Sequence, residues 1–218
     1  MKKQLSFSNI KLKDLRAIIP LKAKSLPTIF DKWFKFDYSL SAADEDFLNG
    51  LLKSNEIRMP FYSEEELKMK FIAPILNRVN FNFEEVTDWY ERAISGTVND
   101  WELRGVTDYL VATGISVPER PYFFIQEFKP SKTGSDPEDQ LLAELLLAIH
   151  LNKENIALGS IIIRQLWTFM LLEKNSEDSY CFYKSAGFNT LNIKDLKQLY
   201  IALQGVKADI VERAKTAQ

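Results

Sequence analysis

The chain has 218 residues, 46% of them hydrophobic and 12% aromatic, which suits one ordinary domain with or without an extension and excludes a disordered or fibrous chain. Its formal net charge of -2 excludes a uniformly basic nucleic-acid binder but leaves room for a local basic cleft. The one cysteine, Cys181, excludes an internal disulfide and a cysteine-based zinc site, and the one histidine, His150, leaves histidine chemistry little to work with.

Residues 1–60 read as a helical extension, with helical turns at Lys11–Ile19 and Ala42–Leu52. An aromatic cluster, Phe30, Trp33, Phe34, Phe36 and Tyr38, lies between them. The expected arrangement is a helical cap packed on a main domain of residues 61–218. No apolar run follows Lys2 and Lys3, as a signal peptide would require. No stretch reaches the roughly 18 apolar residues that span a bilayer. A cytoplasmic chain without a membrane partner is therefore expected.

Ser63 opens the next helix, and Glu66 completes a capping box with it. Leu67, Phe71, Ile75 and Val79, flanked by Ile72 and Leu76, form one apolar stripe on a helix of about 17 residues. Pro74 predicts a kink in it. Three strand-like segments follow, near 84–95, 101–113 and 121–129, divided by Gly96 with Asn99-Asp100 and by Gly114 with Pro118. The third is apolar on both faces until its end, as in a strand covered on both sides. A helix at 137–151 comes next, with a wide face of Leu141, Leu142, Leu145, Leu146 and Ile149. A strand or hairpin at 156–173, a short strand at 179–184 and a helix at 193–214 complete the chain. The order predicts an α/β fold, a central mixed sheet flanked by helices.

Glu127-Phe128-Lys129 ends the third strand. Alternation turns Glu127 and Lys129 to one face and Phe128 to the other. A carboxylate and an ammonium at the mouth of an apolar strand are costly unless paired, solvated or bound to a metal. Asp108 interrupts the apolar segment Gly105–Val111 in the same way. If the two strands are neighbours, both carboxylates share a face and favour a divalent cation between them. The plain alternatives are a salt bridge at a sheet edge for Glu127 and Lys129 and a strand-end turn former for Asp108. Arg164 and Lys132 are candidates for phosphate contact.

A glutamate on the first helix, then Asp108, then Glu127-x-Lys129 on consecutive strands, then a helix, resembles the PD-(D/E)XK nuclease superfamily, over residues 63–173. Ser63-Glu64 through Phe71–Leu76 is similar to the first helix of restriction-subunit-type members. Gly159 with Trp167-Thr168-Phe169 is similar to their last core strands. The resemblance implies a restriction endonuclease-like αβββαβ core and a Mg²⁺-dependent nuclease, with Mn²⁺ as substitute. Its expected substrate is nucleic acid, above all DNA, in a restriction or defence role.

Asp108, Glu127 and Glu64 would hold the metal. Lys129 would orient or help deprotonate the attacking water and offset phosphate charge. Gln140 would stand near the site. Glu144 departs from the family, whose members often carry tyrosine there. Thr107 replaces the family's proline. Many relatives cut as dimers, so a homodimer is allowed, although no dimer surface is legible. The rival expectation is a nuclease-fold protein that no longer cuts and serves as a nucleic-acid- or protein-binding module.

Overall fold

A computed structural model describes residues 3–129, 136–176 and 179–216. Lys132 lies outside the described residues.

Ser63 accepts a hydrogen bond from the Glu66 backbone N–H, and Glu66 returns one from the Ser63 N–H, so the expected capping box is formed. Helix α4 (Glu64–Leu67) runs into a π-helical turn at Lys68–Ile72 and then into α5 (Ala73–Val79). Pro74 explains the sequence of turns. It has no N–H to give to the carbonyl four residues back, and its ring would collide with that carbonyl. The wider π turn directly before it absorbs both problems, where a simple kink was expected.

The strands are β3 (Val86–Val98), β4 (Trp101–Thr113), β5 (Glu119–Lys129), β6 (Ile156–Ile163), β7 (Leu166–Ser176), β8 (Ser179–Lys184) and β9 (Phe188–Asn189). Helix α6 spans Pro137–Asn152 and connects β5 to β6, which are parallel. The crossover helix read from the sequence therefore does what such a helix requires. The last helix, α7, spans Ile193–Thr216.

The N-terminal segment carries helices α1 (Leu12–Ile18), α2 (Asp31–Phe34) and α3 (Ala42–Asn55). It also supplies two strands that the sequence reading treated as helical or irregular. β1 (Lys3–Ser6) pairs in parallel with β4, and β2 (Leu21–Ala23) pairs in parallel with β8. At four and three residues they are too short for a period of two to be read.

Among the described residues the sheet has nine strands, with the main order β1-β4-β5-β6-β7-β8-β2, β3 beside β4 and β9 beside β7. It is mixed, and helices cover both faces. One face, with Tyr109, Val111, Phe124 and Phe128, packs against α3, α5 and α7. The other, with Leu110, Ala112, Ile125 and Ile161, packs against α1 and the leucines of α6. Each fully buried leucine of α6 contributes roughly 1.5–3 kcal/mol, so this face is firmly held. No described helix is long and apolar enough to cross a membrane.

Candidate active site

β4 is shared unequally along its length. Residues Lys3–Ser6 of β1 pair with Trp101–Arg104, and β5 pairs with Tyr109–Thr113. Between them β4 has no partner on that edge. Gly105 sits in this gap, where a Cβ would stand 2.4 Å from the Phe7 ring, so only glycine lets β1's neighbour approach so closely. Asp108 sits at the fork where β4 and β5 part.

The ladder ends at Tyr109↔Gln126, and its register puts Asp108 opposite Glu127 on one face. Asp108 Oδ2 accepts a hydrogen bond of 2.7 Å from the Phe128 N–H. The side chain thus takes the donor that a regular ladder would have used. Lys129 Nζ lies 3.7 Å from Asp108 Oδ2 and 3.7 Å from Glu127 Oε2. Asp108 and Lys129 keep 15% and 20% of their side-chain surface open, whereas Glu127 has none. Glu127 and Lys129 stand at the C-terminal ends of the parallel pair β5 and β6, opposite Ile161 and Ile163. Ligands in open α/β sheets commonly lie outside such strand ends.

Glu127 is the anomaly of the molecule. Both its oxygens are buried and receive no hydrogen bond from an N–H or hydroxyl, and its carboxyl lies within hydrogen-bonding reach of the carboxyls of Glu144 and Asp108. Burial pushes its carboxyl up to about 8, and the charge of Asp108 adds to that. The carboxyl of Glu144, on α6, faces it and is also fully buried. Burial raises it well above the usual range, and Glu127 raises it further. Gln140 Nε2 donates to Glu144 Oε1 at 3.4 Å, and Glu144 Oε2 has no partner. On Lys129, burial alone would lower the ammonium's pKa, but Asp108 and Glu127 outweigh it and hold it raised.

Glu64, the first residue of α4, is half-buried. Burial raises its pKa, Lys129 pulls it down and Asp108 pushes it up, so it shares the electrostatic neighbourhood from the other helical layer. Arg164 is exposed in the turn after β6, and its backbone N–H donates to the Lys129 carbonyl at 3.1 Å.

Two further groups were not assigned a role from the sequence. Lys68, nearly buried in the π turn, reaches Glu91 at 2.7 Å and Glu65 at 3.4 Å. Glu91 has φ 51°, a left-handed conformation inside a strand, where the β3–β4 ladder skips the pair Glu91 and Asp108. Such a residue costs on the order of 1–3 kcal/mol, and this kind of strain concentrates at functional sites. The signal for Lys68 was present, since it falls on the apolar row of Ile72 and Leu76. Glu144 had a signal too, as the one carboxylate within Leu141–Ile149.

No protein-family model and no curated protein matches this chain. Function therefore has to be argued from the site.

The donor set consists of oxygens, which suits a hard divalent cation. Among the described residues, no three His, Cys, Asp or Glu side chains are closed around one point. The lysine ammonium lies between Asp108 and Glu127 instead. The Glu127 oxygens are the observation that fits a cation, because no N–H or hydroxyl donates to them and one lysine ammonium at 3.7 Å serves both Glu127 and Asp108. A cavity of about 550 Å³ at the opposite end of β6, lined by Trp33, Leu158, Leu171 and Asp209, has no such feature. Four of its charged groups are paired, Lys32 with Asp209 and Arg213 with Glu154, and Glu173 and Glu212 also line it.

Proposed function

We propose that this chain is a metal-dependent nuclease of the PD-(D/E)XK type, hydrolysing phosphodiester bonds in DNA. One observation carries the reading: Asp108, Glu127 and Lys129 lie on one face at a fork between two strands, with no N–H or hydroxyl donating to either Glu127 oxygen. The succession of α4–α5, β3, β4, β5, α6 and β6 supports an αβββαβ core of the restriction endonuclease-like kind.

Asp108 and Glu127 would hold a Mg²⁺ or Mn²⁺ ion, with Glu64 close by. Such an ion polarises a phosphate oxygen and lowers the pKa of a bound water. Hydrolysis forms a bond from water oxygen to phosphorus and breaks the bond to the leaving sugar oxygen, which ends protonated. Lys129 serves this as a cation. With its pKa raised it stays an ammonium, so it donates to the attacking water or to a non-bridging oxygen and offsets developing charge. Removing a proton from water is not its task in that state. The Phe128 N–H fixes Asp108 so that one oxygen remains free for other work. Arg164 stands at the same strand ends, where a phosphate backbone would pass.

The test is cleavage of plasmid and linear DNA with Mg²⁺ or Mn²⁺ by wild type, Lys129→Ala and Asp108→Asn. Each variant is expected to lose about 10²-fold or more. Equal activity in all three would remove the assignment.

A further inference from the structure

Two glutamates facing each other out of water form the least explained feature of the fold. Glu127 and Glu144 are both fully buried and lie within hydrogen-bonding reach of each other, and three of their four oxygens receive nothing from an N–H or hydroxyl. The fourth, Glu144 Oε1, accepts from Gln140 Nε2 at 3.4 Å, a long contact. An apolar residue at 144 would have packed among Leu141, Leu145 and Ala148 without any such cost. Two facing carboxyls in a dry space repel unless a proton or a positive ion lies between them. Lys129 already divides its single charge between Asp108 and Glu127.

We infer that Glu144 is a further ligand of the divalent cation held by Asp108 and Glu127, supplied by α6 rather than by the first helix. The inference rests on the proposed metal-dependent reading of the same site. Three carboxylates from β4, β5 and α6 then surround the ion, with Glu127 in the middle of the set. Gln140, one turn before Glu144, is a positioning residue, since its amide donates to the carboxyl that must turn toward the ion. Closure requires side-chain rotation, because the three groups do not yet meet at one point. That rotation disturbs only the long contact from Gln140 Nε2 and the contact between the Glu144 and Glu127 carboxyls.

The experiment is Mn²⁺ titration calorimetry on the full chain, comparing wild type, Glu144→Gln and Asp108→Asn. Wild type is expected to bind, and Asp108→Asn to lose binding. Glu144→Gln is expected to bind at least about tenfold more weakly, the scale seen when metal-site partners are removed. Glutamine fills the same volume and can donate to Glu127, so the fold should hold; a melt in chelator checks this. Unchanged affinity in Glu144→Gln with loss in Asp108→Asn would overturn this inference and leave the nuclease reading standing. No Mn²⁺ binding by wild type would remove both. A wild-type crystal soaked in Mn²⁺ tests the same point without a variant: the ion should lie about 2.0–2.3 Å from a Glu144 oxygen, and an ion bound by Asp108 and Glu127 with Glu144 turned away would overturn the inference.

Discussion

Glu127→Gln should stabilise the metal-free protein, and the gain should grow with pH. The wild-type carboxyl is buried against the Glu144 carboxyl with no N–H or hydroxyl donating to it, and burial, with the charge of Asp108, lifts it to about 8 from an ordinary 4.5. A group with a raised folded pKa favours folding while it is protonated in both states. That advantage is lost as pH climbs from 4.5 through 8, because the unfolded chain ionises first and freely. Each unit corresponds to about 1.4 kcal/mol, so at pH 7 the wild type forgoes on the order of 3 kcal/mol. Glutamine has no charge to desolvate and keeps the shape. The two proteins should match near pH 5 in chelator and diverge by pH 7. For a chain of this size the difference corresponds to a melting temperature about 6–12 °C higher in the variant. Saturating Mn²⁺ should then raise the wild type, by about 2.7 kcal/mol at one hundred times Kd, and leave Glu127→Gln where it was. Thermal melts at pH 5, 7 and 8, with chelator and with Mn²⁺, measure all of this. A gap that does not widen with pH, or a variant that melts lower at pH 7, would refute the account of Glu127 as a buried, uncompensated carboxyl.

Two more outcomes follow from the packing around the site. Asp44 accepts from Ser41, Tyr38, Arg78 and Tyr200, tying α3 to α5 and α7. Burial alone would raise its pKa, but the hydrogen bonds from Ser41 and Arg78 outweigh this and hold it at about 2. Its contribution is present above pH 4 and fades as pH falls toward 2, and the partly exposed Arg78 partner limits it to about 1 kcal/mol. Asp44→Asn should unfold at lower urea than wild type at pH 6, with a gap that narrows toward pH 3; a constant gap would count against the linkage. Gly159→Ala puts a Cβ 2.7 Å from the Ile125 carbonyl and 2.8 Å from Leu141. It should lose about 1–3 kcal/mol in urea unfolding and weaken Mn²⁺ binding, because α6 is pushed away with Glu144 on it; an unchanged midpoint would show the backbone yields more easily than supposed.

The parts of the fold that repeat a period were readable. β4 at 101–113, β8 at 179–184, and α6 and α7 near the expected bounds all carry strong apolar patterns. What was not readable depends on register or on a single backbone torsion. Nothing in the sequence fixes Tyr109 opposite Gln126, yet that pairing is what turns Asp108 toward Glu127 rather than away. The left-handed Glu91 is a glutamate in a strand of ordinary composition, and its torsion is set by the neighbouring sheet. β1 and β2 owe their strand geometry to the edges they join, since three or four residues hold no pattern of their own.

Asp108, Glu127 and Lys129 stood out as candidates because they break the patterns around them, whereas Glu144 and Lys68, which do the same, were given no role. Asp108, Glu127 and Glu144 each interrupt a run in which an apolar residue would pack better and cost nothing in desolvation. Lys68 does the same on its helix. A buried salt bridge can often be replaced by well-packed apolar side chains with no loss of stability, so structural need alone does not account for Asp108, Glu127, Glu144 and Lys129 gathered where two strands part. Paired charges would at least compensate one another, but Lys129 is one cation against three carboxyls, and the oxygens of Glu127 receive no hydrogen bond from an N–H or hydroxyl. Under the proposed function, a divalent cation would correct this imbalance.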